Sequence, residues 1–302
     1  MKLNHKNDNL IKSIPLMALM AAINVIFVLI TTLVPVLLFL IVFVLPLTSV
    51  LVTLKCPKRY FFIYAISTIL LCLGITFWCI DDTIFYVIPS IISGFLFGLF
   101  IEKKVPIVYV IIITTFAEML CSYASIPLIQ LITNRNIITV FATALNIQDF
   151  VYLDYLVPVF IFFISMVQEI ISFLVIKDEI IKFGYSFSNQ NTPLLPLFLT
   201  NLALLSIMIV FAFIYGPIAF LLLEIALVVG VFIFIELIKE KSIFIYVSFL
   251  VSLLLTFFLF GVFYPLLPVP LGFLLIGIIL LFELIIVLIN NCLLKRNNKD
   301  TI

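Results

Sequence analysis

This sequence predicts an all-α, polytopic transmembrane bundle of about ten spans, with N and C termini cytoplasmic. Three observations predict it. Of 302 residues, 66% are hydrophobic and 10% charged, whereas a soluble domain is roughly half apolar and about one quarter charged. Apolar runs recur at lengths near the ~20 residues that a helix needs to cross hydrocarbon. The basic residues fall in gaps between those runs, and every second gap is nearly free of them. The basic gaps are Lys2/Lys6/Lys12, Lys55/Lys58/Arg59, Lys103/Lys104, Lys177/Lys182, Lys239/Lys241 and Lys295/Arg296/Lys299, with Arg135 alone between them. Such alternation marks cytoplasmic ends under the positive-inside rule.

Residues 1–13 read as a cytoplasmic tail. Ile14 to Leu54 is twice a span and is broken near Thr31-Thr32 and Pro35, so it reads as a hairpin of two helices. Either both cross, or one is re-entrant. Tyr60–Ile80 is the third span, ending at Asp81-Asp82, and Ile84–Ile101 the fourth, ending at Glu102-Lys103-Lys104. The fifth runs from Val105 to about Pro127 and the sixth from about Asp154 to Ile176. Residues 14–176 form a six-helix core. The polar stretch 177–192 reads as a cytoplasmic linker. A four-helix block, 193–294, holds Pro193–Ile214, Pro217–Ile238, Ser242–Phe263 and Leu271–Leu294, and residues 295–302 form a second tail.

The stretch from Leu128 to Leu153 is too polar to span, with Asn134, Arg135, Asn136, Gln148 and Asp149. Ile137, Ile138, Phe141, Ala142 and Leu145 recur there at helical spacing, an amphipathic signature. It reads as an external helix lying on the membrane or capping the bundle, or as a structured loop. No repeat of 20–50 residues is evident.

The basic start followed by an apolar run reads as a first membrane anchor rather than a cleaved signal, because the run is too long. Net charge is +1, which gives no pull toward nucleic acid. The partners expected from composition are membrane lipids. Cys56, Cys72, Cys79, Cys121 and Cys292 match no metal or disulfide spacing and read as small apolar fillers. His5 is the single histidine and lies in the polar tail.

Ionisable groups inside a bilayer are costly and are functional candidates by default. Glu118, Glu169, Glu224 and Glu283 fall within predicted spans, and no Lys or Arg does. Carboxyls held uncharged in apolar surroundings can bind a cationic or hydrogen-bonding ligand, relay protons, or act as packing glue between helices. Glu118 and Glu169 lie in adjacent predicted helices beside polar companions, Thr114/Thr115 and Gln168. Glu118, Glu169, Gln168 and Asn24, mid-way along the first helix, are the candidate substrate contacts. Ala18/Ala22 and Gly94/Gly98 are pairs of small residues one helical turn apart, which let backbones approach. They mark helix packing or contact with a partner subunit.

No Gly-x-x-x-x-Gly-Lys-Ser/Thr loop, His-Glu-x-x-His motif or Gly-x-Ser-x-Gly elbow occurs. Asp81-Asp82 has no second acidic motif to pair with. The expectation is a protein that is not an enzyme, with no cofactor and no metal.

Ile-Pro-Leu-Met-Ala-Leu-Met-Ala-Ala-Ile-Asn (14–24) and Ser-Gly-Phe-Leu-Phe-Gly-Leu-Phe-Ile-Glu-Lys-Lys (93–104) resemble segments of the substrate-binding S components of energy-coupling-factor transporters. The whole chain resembles the YybS-like family of bacterial membrane proteins, distantly similar to S components. The resemblance implies a six-helix core that binds a small molecule, with Ala18 and Ala22 facing a transmembrane coupling subunit that works with ATPases. This chain is longer than an S component by four predicted helices. The expected function is a small-molecule binding or uptake subunit in the cell membrane, energised by partners. A solitary proton-coupled carrier and a membrane scaffold are the two other readings.

Overall fold

The structure is a computed structural model. It describes residues 10–134, 136–144, 146–147, 152–188, 192–239, 243–263, 266–267, 272 and 274–297. His5, Arg135, Gln148, Asp149, Lys241 and the ends of both predicted tails lie outside them, and the Cys292 side chain is likewise not described. Among the described residues the protein is helical without strands.

Among the described residues, eleven helices carry the fold. They are α1 (Leu10–Leu33), α2 (Leu38–Lys55), α3 (Lys58–Ile75), α4 (Phe77–Glu102), α5 (Ile107–Thr133), α6 (Ile137–Ala144), α7 (Leu153–Lys182), α8 (Leu194–Ile214), α9 (Gly216–Ile238), α10 (Ile243–Phe263) and α11 (Ile278–Asn297). Eight of these are long and apolar enough to cross a membrane; the apolar segments Leu40–Lys55 and Leu274–Ile289 are shorter. Large hydrophobics such as Leu70, Phe213, Leu254 and Phe257 face outward. An outer surface of this kind is solvated by lipid. This is a multi-pass helical membrane protein.

Several predicted boundaries move. The turn after α3 closes at Thr76, not at Asp81-Asp82. Both aspartates instead stand in the opening turns of α4, where the positive end of a helix dipole favours acids. One stretch of α4, Thr83–Val87, is π-helical. A π turn leaves the carbonyl pattern out of step, and Ser125 of α5 donates its hydroxyl to the Ile84 carbonyl at 3.0 Å. Helix α5 continues six residues past Pro127, to Thr133. Helix α7 runs through Lys182, so the first third of the expected linker is helical. Between α5 and α7, the stretch expected to be amphipathic holds the short helix α6, with Ala142 buried and Val140 exposed.

The chain divides into two compact units, residues 1–150 with 160–191, and residues 151–159 with 192–302. In the first, α1 buries Met17, Met20, Ala21 and Val28 on one face. These positions follow the three-to-four residue repeat of a helix. Helices α2 and α4 pack so closely that a Cβ at Gly94 would stand 2.4 Å from the Pro46 carbonyl oxygen, and one at Gly98 would stand 2.6 Å from Thr53 Cβ. Gly94 and Gly98 are therefore internal packing residues. Ala18 and Ala22 are exposed and flank the buried face of α1.

Three basic gaps of this unit meet at one end. Lys58 pairs with Glu102 at 2.9 Å, Lys55 sits 4.2 Å above the Phe183 ring, and Tyr185 donates to the Leu54 carbonyl. In the second unit, a Cβ at Gly216 would meet the Tyr155 ring, and Gly230 lies where α9 meets α11.

Candidate functional site

Two helices of the first unit, α5 and α7, bring Glu118, Gln168 and Glu169 together. Glu118 is 11 residues into α5 and Glu169 is 13 residues from the end of α7, which places both about 16–20 Å along their helices at 1.5 Å per residue. Glu118 is 2% exposed and Glu169 0%. Gln168 Nε2 donates to Glu118 Oε1 at 2.7 Å. The Glu118 carboxyl, Thr114 of α5 and Ser93 of α4 lie beside Glu169. Even so, neither oxygen of Glu169 makes a hydrogen bond, and Glu118 Oε2 makes none.

The two hydroxyls beside Glu169 also reach carbonyls of their own helices. Thr114 donates to the Val110 carbonyl at 2.9 Å and Ser93 to the Ser90 carbonyl at 3.4 Å. Their lone pairs are left for any ligand. Ser90, Thr115 and Ser172 carry buried, unpartnered hydroxyls, each three residues from Ser93, Glu118 or Glu169 on the same helix. The site thus holds three carboxyl oxygens free to accept, and one N–H of its amide goes to Glu118. Buried polar atoms without partners are rare in folded proteins, and each asks for an explanation. Unpartnered carboxyl oxygens of this kind suit a ligand that brings hydrogen-bond donors or positive charge.

Asn24 is placed elsewhere. Its Nδ2 donates to the Tyr64 hydroxyl at 3.0 Å and its Oδ1 accepts from Thr48 at 2.9 Å. Tyr64 donates in turn to Thr48 at 3.1 Å and lies 3.4 Å from Ser49 Oγ. The network ties α1, α2 and α3, and it engages both ends of the Asn24 amide. Ser49 also touches the place where a Gly94 Cβ would stand, one residue from Ser93.

The remaining spanning carboxylates lie in the second unit. Glu224 is half-buried and Glu283 is buried. Sequence reasoning missed Asn201 of α8, which is fully buried with both amide atoms unpartnered. A lone Asn in an apolar run was the available signal. Sequence reasoning also missed Tyr64, because a tyrosine in a span reads as an interfacial residue. Among the described residues, no group of three His, Cys, Asp or Glu side chains is placed to hold a metal ion. Comparison with protein-family models, with curated proteins and with solved structures finds no match.

Proposed function

We propose that this protein is a cell-membrane binding and uptake subunit for a small molecule, not an enzyme, and that it depends on partner subunits for energy. The ligand sits among Glu118, Gln168 and Glu169 and presents donors or positive charge to them. One observation carries the reading: three carboxyl oxygens deep in the helices have no partner. Unpaired polar groups at that depth cost several kcal/mol unless something occupies them, and that cost favours a functional role over packing glue.

Ten spans with both termini cytoplasmic accompany the proposal. The meeting of three basic gaps at one end of the first unit supports a common cytoplasmic side for them. The exposed Ala18/Ala22 face supports docking of a coupling subunit, because small residues let a neighbouring helix approach. The likeness of residues 14–24 and 93–104 to S components points to the same partner class.

The test is binding by purified, reconstituted protein, screened against ligand libraries that separate cationic, neutral and anionic compounds. A cationic or donor-rich ligand should bind the native protein and lose at least tenfold in affinity in the Glu118→Gln/Glu169→Gln double variant. A double variant that folds and binds that ligand with native affinity overturns the site.

A further inference from the structure

We propose that Glu283 and Asn201, in the second unit, form a proton-binding site, with the proton carried on the Glu283 carboxyl. Asn201 of α8 is 0% exposed and Glu283 of α11 is 3% exposed. Both face Gly230 of α9. The position of a Cβ there would be 2.7 Å from Glu283 Oε2 and 3.7 Å from Asn201 Nδ2. Glycine at 230 leaves the room that the carboxyl and the amide use. Yet Glu283 Oε1 and both amide atoms of Asn201 have no hydrogen-bond partner. The two side chains therefore approach the same glycine, and between them they leave three buried polar atoms unsatisfied.

The donor set selects the ligand. One carboxyl and one carboxamide supply far fewer oxygens than the six or so that a desolvated Mg²⁺ or Ca²⁺ requires, and Leu280 fills the adjoining space. A proton needs a single oxygen. Residues 194–238, 243–263 and 278–294 contain no Lys or Arg, so the carboxyl has no permanent counter-charge on these helices. The other titratable groups on the helices packed against α11 are Glu224, Glu236 and Tyr246, with Tyr215 just before α9. Glu236 is paired with Lys239 at 2.6 Å, and Glu283 Oε1 has no hydrogen-bond partner.

A carboxamide is the side chain that serves both states of a neighbouring acid. Turned one way, its Oδ1 accepts from the protonated carboxyl. Turned the other way, its Nδ2 donates to the carboxylate. The exchange balances simply: the carboxyl releases its proton to water, and the negative charge left on Glu283 is held by the Asn201 N–H. A purely structural asparagine in this place would be expected to use its amide atoms on a backbone or a fixed side chain, as Asn24 does.

The experiment is carbodiimide labelling of the full chain in proteoliposomes, read residue by residue by mass spectrometry. Dicyclohexylcarbodiimide is apolar and enters hydrocarbon. It takes the acid proton on nitrogen as the carboxyl oxygen adds to its central carbon, so only a protonated carboxyl reacts. The expected result is an adduct on Glu283 that declines as pH rises, with no adduct at that position in Glu283→Gln. Asn201→Leu should remain labelled at alkaline pH where the native protein is spared, because its carboxylate loses the N–H donor. Absence of an adduct at every pH, labelling that ignores pH, or an unchanged profile in Asn201→Leu would each overturn the proposal. The native profile needs no variant to fold, and ligand binding at Glu118 and Glu169 can fail without altering any of these outcomes.

Discussion

Two buried polar clusters in the first unit are built to opposite specifications. Around Asn24, the side chains of Thr48, Ser49 and Tyr64 satisfy one another across three helices. Around Glu169, two carboxyls and a set of hydroxyls leave polar atoms unused. Both are fully buried, and both sit among apolar side chains. The first is a closed network and holds helices together; the second is open and keeps capacity for something else. Burial alone does not distinguish structure from function. The hydrogen-bond ledger of each cluster does.

The sharpest way to break this comparison is to remove the centre of each cluster. Asn24→Ala removes one hydrogen bond each from Tyr64 and Thr48, which keep one another as partners, and should cost about 2–3 kcal/mol, at about 1 kcal/mol per lost bond plus the cavity left behind. Glu169→Gln keeps the shape of the side chain among Thr114, Ser93 and Glu118 and should change stability by less than about 0.5 kcal/mol while weakening ligand binding. Reversible unfolding in mixed detergent micelles reads both. Equal destabilisation by the two changes would mean that the Glu169 cluster is structural as well.

A second comparison sets the glycine contacts of the two units against each other. At Gly94 an added methyl would meet the backbone of Pro46, which cannot move aside. At Gly230 it would meet the ends of Leu280 and Glu283, which can turn away. Gly94→Ala should therefore cost about 2–3 kcal/mol, near the upper end for overpacking, and Gly230→Ala about 1 kcal/mol. Thermal unfolding in detergent checks the order, and the reverse order would show that α2 and α4 separate more readily than their contact implies.

The parts of this fold that were legible in the sequence are those that depend on one helix at a time. Run length and charge located the helices, because each span must satisfy its own length and its own flanks. The proximity of Glu118 and Glu169 was legible because both lie on helices adjacent in the predicted order. Pairings between distant positions were not. Nothing near Asn24 announces Tyr64, forty residues on, and nothing in α8 announces that Asn201 faces Gly230 and Glu283. Asp81-Asp82 misled because acids end a hydrophobic run equally well as a loop or as the first turn of the next helix. Gln168 was singled out for its position beside Glu169, yet its amide serves Glu118 on another helix.

The smallest effect lies at the end of the first unit, where the basic gaps meet. Tyr185 donates to the Leu54 carbonyl at 3.4 Å, a long bond. Burial pushes the Tyr185 phenol above its ordinary value of 10.0, and the Glu102 charge adds to the shift. The folded state therefore holds this proton more tightly than the unfolded one. Its contribution to stability is complete below pH 10 and is lost as pH rises from there through the raised value. Tyr185→Phe should cost about 0.5 kcal/mol at neutral pH and should remove part of the alkaline decline. An ultraviolet titration that finds every tyrosine ionising together near pH 10 would contradict this. It would also weaken the case that the segment after α7 is held against α2, and with it the convergence of basic ends on which the common cytoplasmic side rests.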